Sequence, residues 1–301
     1  MERKELISNQ RKTTIRRFLN NKSMIIGLVF LVLLSVLVTI GPYIVKFDPY
    51  NMSVIERFKS PSSKHLFGTD EFGRDLFTRI IYGGRISMSV GLSVTLISSA
   101  MGLIIGLYAS YYRKLDNIFM RICDGMIAIP GVLLAIALMA ALGPSALNVI
   151  IALSIVYTPS TARIVRSQAL VIKEQTYIEA IRSQGSGATR IIWRHIAPNV
   201  LSPLIVQSTY IFAESIMSEA ALSFLGAGIP APEPSWGNIV QSGKIVISKA
   251  WWIVVMPSIF IVLSVLSLNL VGDGLRDFID PNIIRTRKKS KHKHTSKKES
   301  N

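Results

Sequence analysis

The sequence is poor in cysteine and lacks the short motifs that mark common catalytic sites. Among its 301 residues only Cys123 is a cysteine, which excludes an intrachain disulfide and a cysteine-rich metal site. There is no Gly-x-x-x-x-Gly-Lys-Ser/Thr loop, so the chain lacks a backbone cradle for nucleotide phosphates. There is also no His-Glu-x-x-His pair and no nucleophile elbow. The sequence therefore gives no support to an enzyme, and Cys123 is interpreted as a small buried thiol.

Acidic residues are scarce as well, with 18 Asp and Glu against 34 Lys and Arg, and the formal net charge is +16. Such an excess can indicate a nucleic-acid partner. Here the basic residues are concentrated in both tails and in short loops between apolar segments, as the positive-inside rule expects for a membrane protein. We therefore expect no nucleic acid and no bound metal. The histidines are too scattered for a metal site: His65, His195, His292 and His294.

What the sequence does have is long apolar runs. Half of the residues are hydrophobic and the mean hydropathy is +0.41. About 20 helical residues, at 1.5 Å each, cover the roughly 30 Å of bilayer hydrocarbon. We therefore predict an all-α, polytopic membrane protein with six transmembrane helices. The predicted spans are 23–45, 86–108, 118–142, 146–161, 200–225 and 251–270.

The basic clusters give the predicted orientation, because those near span ends remain on the cytoplasmic side. Both termini are expected inside, and the first apolar run is too long for a cleaved signal peptide. The loop after the first span is expected outside, with an amphipathic helix that is capped by Thr69 and carries Phe72, Leu76 and Ile80 on one face. The predicted segments are a basic N-terminus 1–22, an outer loop 46–85, a permease core 86–275 and a disordered basic tail 276–301.

A polar island, residues 163–199, interrupts the apolar runs. Good helix formers from 174 to 184 predict a short helix, and Gly185 predicts its end, because glycine takes the left-handed position after a helix without strain. Ser186 is expected to cap a second short helix. Pro198 suits the first turn of the next long helix. The pattern predicts helix, tight break, helix, which is typical of a docking element or of an amphipathic loop.

The island resembles the signature of ABC-importer permeases: Glu-Ala-Ala, three residues, Gly, nine residues, then Ile-x-Leu-Pro. Four positions match it: Glu179, Ala180, Gly185 and Pro198. Three depart from it: Ile181, His195 and Ala197. In that family the island is the coupling helix, which sits in a groove of a separate ATPase subunit. The resemblance thus implies a cytoplasmic coupling helix within a type I ABC-importer permease fold.

Further stretches are similar to the C-type permease subunit of oligopeptide, dipeptide and nickel importers: 67–92, 219–226, 234–238, 269–277 and 280–281. This resemblance implies a heterodimer with a second permease subunit, two ABC ATPase subunits and an extracytoplasmic solute-binding protein. ATP and Mg would belong to the ATPase partners, with no cofactor on this chain. Peptides are the favoured solute and nickel or metal chelates the alternative. A secondary transporter or channel is a further alternative, although the inverted repeat typical of many such proteins is not apparent.

The candidate functional residues fall into three groups. Glu214, inside the fifth span, is expected to face a cavity between subunits and to meet a solute amino group. Glu219 is assigned either to the translocation pathway or to structural hydrogen bonding. Gly102 and Gly106 form a small-xxx-small pair for close helix packing. The predicted ATPase-coupling interface comprises Glu179, Ala180, Gly185, Arg190, His195 and Pro198.

Overall fold

The computed structural model describes residues 21–279, which are mostly helical. Of the predicted basic N-terminus (1–22), residues 1–20 lie outside these residues, as do residues 280–301 of the predicted disordered tail (276–301), with both tail histidines. Residues 276–279 were also predicted to be disordered, but they form the end of the last helix. The helices are α1 (Lys22–Ile44), α2 (Leu76–Tyr111), α3 (Arg113–Ile127), α4 (Gly131–Leu142), α5 (Ala146–Lys173), α6 (Thr176–Ser183), α7 (Ala188–Phe224), α8 (Trp236–Gly243) and α9 (Trp252–Ile279).

Five of these helices are long and apolar enough to cross a membrane, namely α1, α2, α5, α7 and α9. The bent pair α3–α4 gives a sixth crossing if it is counted as one span. The all-α, polytopic prediction is confirmed. The first span matches closely, because α1 begins one residue before the predicted range and ends one residue before its end.

The separate amphipathic helix predicted in the outer loop is wrong. The helix begins at Leu76 and continues into the second span as one 36-residue helix. Asp75, not Thr69, caps it, because the Asp75 carboxylate accepts the Thr78 backbone N–H at 2.9 Å. Gly73, at φ +74°, turns the chain just before the cap, where a Cβ would run into the Ser53 carbonyl. The outer loop therefore ends about ten residues earlier than predicted.

The third predicted span, 118–142, is broken into two helices. The axes of α3 and α4 differ by 95° across residues 128–130. Pro130 offers no backbone N–H, and it disfavours helical geometry at the preceding Ile129. The later spans are longer than predicted, since α5 runs to Lys173, α7 begins at Ala188 and α9 ends at Ile279.

The loop between α1 and α2 is folded around buried charged groups. The Nδ1 atom of His65, which is 2% exposed, lies 2.8 Å from an Asp75 carboxylate oxygen. Asp70 pairs with Arg74 at 2.7 Å between Oδ2 and Nε, and both side chains are buried. The cap of α2 is thus held by the loop that precedes it.

Tryptophans join this loop and α8 to the spans. The Trp236 indole is fully buried and its Nε1–H donates to the Ile80 carbonyl at 2.9 Å. The adjacent residues Trp251 and Trp252 have different surroundings. Trp251 is 50% exposed, whereas Trp252 is buried and donates to the Thr69 carbonyl at 3.1 Å.

The central packing is α2 against α5, with α7 beside both. Gly102 and Gly106 lie on the face of α2 that meets α5. A Cβ on Gly106 would lie 2.6 Å from the Ala162 carbonyl oxygen, and one on Gly102 would lie 2.5 Å from the Thr161 Cβ. Only glycine permits this separation of the two helices.

Candidate coupling and translocation site

The polar island forms a helix with a defined stop. Helix α6 (Thr176–Ser183) begins two residues later than predicted. Gly185 has φ +81°, its N–H donates to the Arg182 carbonyl at 2.9 Å, and the Ser186 N–H donates to the Ile181 carbonyl at 3.3 Å. These two bonds are the Schellman arrangement, which satisfies the last carbonyls of a helix. The predicted stop at Gly185 is confirmed.

The predicted second short helix is wrong, because α7 begins at Ala188 and runs on into the fifth span. Gly187, not Ser186, is the N-cap residue, and no side chain caps this end. Residues 191–196 form a π-helical turn, in which the Ala197 N–H donates five residues back, to Ile192. The second arm of the helix hairpin formed by residues 163–199 is therefore the end of a membrane span.

The underside of the hairpin is an apolar core. Four of its isoleucines are fully buried, in a cluster with side chains of α2, α5 and α7. Burying one such side chain contributes roughly 1.5–3 kcal/mol. The hairpin is thus a packed part of the bundle rather than a loose loop. The buried isoleucines are Ile178, Ile191, Ile192 and Ile196.

The residues predicted for the ATPase-coupling interface are accessible. His195 is half-buried, and its carbonyl accepts the Asn199 side-chain amide at 2.6 Å. The sequence analysis missed two exposed aromatics in the same region, Tyr177 at 43% and Trp193 at 41%. Aromatic side chains inside a polar segment were the available signal, since such residues often anchor interfaces. The exposed predicted residues are Glu179, Ala180, Gly185, Arg190 and Pro198.

Cationic side chains hold the hairpin to the end of α2. The Arg182 guanidinium carbon lies 5.9 Å from the centre of the Tyr111 ring, and the Lys173 Nζ lies 5.7 Å from it. Lys173 also donates to the Ser110 carbonyl at 3.1 Å. Cation–π contacts of this kind contribute about 0.5–1 kcal/mol at exposed sites. The hairpin thus touches the point where α2 gives way to α3.

Glu214 is exposed on α7. The backbone around it is fixed, because the Tyr157 hydroxyl donates to the Glu214 carbonyl at 3.2 Å and lies 2.7 Å from the Ser218 hydroxyl. Within residues 21–279 the Glu214 carboxylate forms no ion pair. An exposed carboxyl within a span needs water or a partner chain beside it, because hydrocarbon does not solvate charge.

Glu219 does not line a surface of this chain. It is 0% exposed, and its carboxylate accepts hydroxyl hydrogen bonds from Ser87 at 2.7 Å and Ser223 at 2.8 Å. The same two hydroxyls accept backbone N–H groups of Trp236 and Ile229, at 3.2 and 3.1 Å. Glu219 therefore fastens α2, α7 and the loop around α8 to one another.

The break between α3 and α4 is also exposed. Ile127 and Ile129 flank it at 42% and 46% exposure. A Cβ on Gly131 would lie 3.2 Å from Val156, which is ten residues, or about 15 Å, into α5. Non-helical backbone at such depth is tolerated only against protein or water. This face of the chain therefore meets a partner or a hydrated path.

Five or six membrane crossings, a packed hairpin with exposed polar residues and an exposed mid-depth break together define the class. It is a multi-pass membrane protein. Two family models match the sequence. Residues 98–285 match "Binding-protein-dependent transport system inner membrane component", and residues 9–61 match "N-terminal TM domain of oligopeptide transport permease C". The chain belongs to the family of binding-protein-dependent transport system inner membrane components.

Similar proteins align with this sequence along nearly its whole length. It is 48% identical over 270 residues to a putative peptide transport system permease protein of Brucella abortus, covering 90% of this chain and 91% of the relative. It is 41% identical over 271 residues to the dipeptide transport system permease protein DppC of Alkalihalophilus pseudofirmus, with 90% and 89% covered. A glutathione transport system permease protein GsiD of Escherichia coli is 41% identical over 270 residues, with 89% of each chain covered.

Among solved structures, the methionine ABC transporter MetNI in an inward-facing conformation is similar in fold. Its TM-score is 0.55 at 18% identity, covering 67% of this chain and 97% of that chain. The predicted ABC-importer permease fold and the C-type permease assignment are confirmed. Members of this family are membrane components of transport systems.

Proposed function

We propose that this chain is the membrane-spanning permease subunit of an ATP-driven importer, and that it forms the pathway for oligo- or dipeptides together with a second permease. The observation that carries the coupling role is the hairpin 163–199, whose polar surface is exposed while its isoleucines are fixed in the bundle. The peptide assignment is supported by relatives at 41–48% identity that are named for peptide and dipeptide transport. Nickel has no comparable support.

The partners follow from this role. Two ABC ATPase subunits would dock on the hairpin, and a solute-binding protein would deliver the solute at the other end. The hairpin and both termini would be cytoplasmic, as the basic clusters predict. ATP and Mg would remain on the ATPases, and this chain would bind no cofactor.

The hairpin would act by rigid-body transmission. When the ATPase subunits close on ATP, they would carry the hairpin with them, and α7 would move because it begins inside the hairpin. Glu179 would contact the ATPase surface through polar bonds, and Gly185 would set the angle between α6 and α7. The buried isoleucines make the transmission stiff, because packed interiors deform little.

The pathway would run along the exposed side of α7 and past the break at residues 128–130. The Glu214 carboxylate would bind the ammonium group of a peptide. The Tyr157 hydroxyl, which donates to the Glu214 backbone carbonyl, would hold this residue in place. Replacing Glu214 with Gln keeps the shape and removes the charge. We expect weaker uptake of peptides with a free amino terminus and no change for amino-blocked peptides; equal uptake of both by parent and variant would remove Glu214 from the pathway.

The coupling role is tested in proteoliposomes that contain both permeases, the ATPases and the solute-binding protein. Glu179→Lys and Gly185→Asp are expected to leave insertion intact while ATP hydrolysis continues without uptake. Glu233→Lys is the matched charge reversal at an exposed residue of the loop before α8, and it is expected to behave as the parent. Normal uptake per ATP by both hairpin variants would contradict the proposal. Preferential uptake of nickel chelates by the parent complex would contradict the peptide assignment.

A further inference from the structure

Helix α3 is joined to its neighbours by two short breaks. Tyr112 alone separates α2 from α3, and it is extended, with φ −108° and ψ 111°. At the other end three residues, 128–130, separate α3 from α4 at a 95° bend. A helix between two such breaks can change its direction while keeping its internal hydrogen bonds. Hinges of this kind absorb a motion in few residues.

Two ion pairs fix the direction of α3 against α5. The Arg166 guanidinium contacts both carboxylate oxygens of Asp116, with Nη2 at 2.6 Å from Oδ2. Near the other end of α3, the Arg163 Nη2 lies 2.5 Å from the Asp124 Oδ1. The two carboxylates are eight residues apart, about 12 Å along α3, but their arginines are three apart, about 4.5 Å along α5.

An apolar groove of about 370 Å³ lies between α3, α2 and α5. Residues of all three helices line it, among them Met101, Phe119, Cys123 and Ile155. Along this partly open groove α3 is not closely packed against α2 and α5. The groove gives α3 room to move once an ion pair opens.

The coupling hairpin touches the first hinge. Tyr111, the last residue of α2, carries the cation–π contacts of Arg182 from α6 and Lys173 from α5. Tyr111 precedes Tyr112 directly, so a shift of α6 acts next to the hinge of α3. The other end of α3 is the exposed break. One helix thus links the hairpin to the mid-depth face of the chain.

We propose that α3 is a lever that carries the movement of the hairpin to the break at residues 128–130. Asp116–Arg166 and Asp124–Arg163 are the positioning pairs that hold the lever in the direction seen here. The proposal rests on the proposed function, since it assigns the route by which ATP-driven movement of the hairpin reaches the pathway. A lipid-filled groove beneath an immobile α3 is the opposing view, and the experiment separates the two.

The first arm of the experiment is a charge-reversal cycle in the fully assembled transporter in lipid. Asp116→Arg and Arg166→Asp are each expected to lower the solute transported per ATP about tenfold, within the usual range of coupling energies. The double reversal restores the pair with opposite polarity and is expected to return most of that loss. A merely stabilising pair would change the amount of assembled complex and leave transport per ATP as in the parent.

The second arm uses Cys123, the single cysteine of the chain, as a native reporter. It is 4% exposed and lines the groove under α3. In a complex whose partner chains carry no cysteine, we expect its maleimide labelling rate to differ about tenfold between the nucleotide-free and the ATP-trapped states. Asp116→Arg is expected to abolish that difference, and the double reversal with Arg166→Asp to return it.

The outcomes separate the two proposals. If Glu179→Lys uncouples transport but Cys123 labels at one rate in all states and neither single reversal changes transport per ATP, the lever is wrong and the hairpin role survives. If Glu179→Lys leaves transport per ATP normal, the hairpin role itself fails. A change in Cys123 labelling that follows nucleotide state and is lost in Asp116→Arg supports the lever.

Discussion

Replacing Gly106 with Ala tests the closest approach of two membrane spans. The added methyl would lie 2.6 Å from the Ala162 carbonyl oxygen and 2.7 Å from the Val165 Cβ. Ordinary carbon contacts lie near 3.5–4.0 Å, so α2 and α5 must separate by about 1 Å. Such overpacking costs about 1–3 kcal/mol. The backbone carbonyl cannot move aside as a flexible side chain can. We therefore expect the full loss of folding stability that overpacking causes.

Gly125, in α3, is the matched control because a Cβ there meets no atom within 4 Å. Alanine is the better helix former by about 1 kcal/mol at both positions, so this gain cancels in the comparison. Gly106→Ala is therefore expected to be about 1–3 kcal/mol less stable than Gly125→Ala.

The assay is reversible unfolding of the protein in mixed micelles, followed by tryptophan fluorescence as the fraction of denaturing detergent rises. Gly102→Ala, one turn away on the same face, is expected to behave as Gly106→Ala. Equal stability of the Gly106 and Gly125 variants would refute the close packing of α2 on α5 described above.

Three further predictions concern the end of the bundle opposite the hairpin. Glu219→Ala should lower stability by about 1–3 kcal/mol for each serine hydroxyl left without an acceptor, whereas Glu219→Gln should recover part of the loss, as unfolding titrations would show. Trp252→Phe should lower stability by about 1 kcal/mol through one lost hydrogen bond, whereas Trp251→Phe should have little effect in the same titration. The hydrogen bond from Lys64 lowers the pKa of Glu56 despite the opposing effect of its burial. The ionised Glu56 carboxylate therefore stabilises the fold fully at pH values above the usual pKa of a glutamate, and this stabilisation is lost as the pH falls and the carboxylate is protonated. The difference in Tm between parent and Glu56→Gln should accordingly shrink below about pH 4.

Local chemistry allowed part of this structure to be predicted. The end of α6 follows from Gly185 itself, since a left-handed residue after a helix is a property of the local backbone. Pro130 likewise marks a local interruption, although its local effect does not give the 95° angle, which depends on packing of α3 and α4 against α5. The span lengths were underestimated because charged residues such as Arg166 pair with α3 within the bundle.

Long-range contacts explain what the sequence did not reveal. Thr69 and Asp75 are both reasonable caps, and the choice depends on how the loop before them folds, with Gly73 pressed against Ser53. The structural role of Glu219 depends on Ser87, which is 132 residues away in sequence. Neither contact leaves a periodic signal. A buried carboxyl and a pathway carboxyl look the same in a hydropathy pattern.

The central claim is that the ATPase subunits dock on the hairpin 163–199, and a directed cross-link tests it most directly. In a Cys123→Ser background, Ala180→Cys places a thiol on the exposed hairpin, and Ile245→Cys places one at an 89% exposed site near the start of α9. With a short thiol–amine cross-linker on the assembled complex, the account predicts that Ala180→Cys joins the ATPase subunit and Ile245→Cys does not. An ATPase cross-link from Ile245→Cys but not from Ala180→Cys would contradict it.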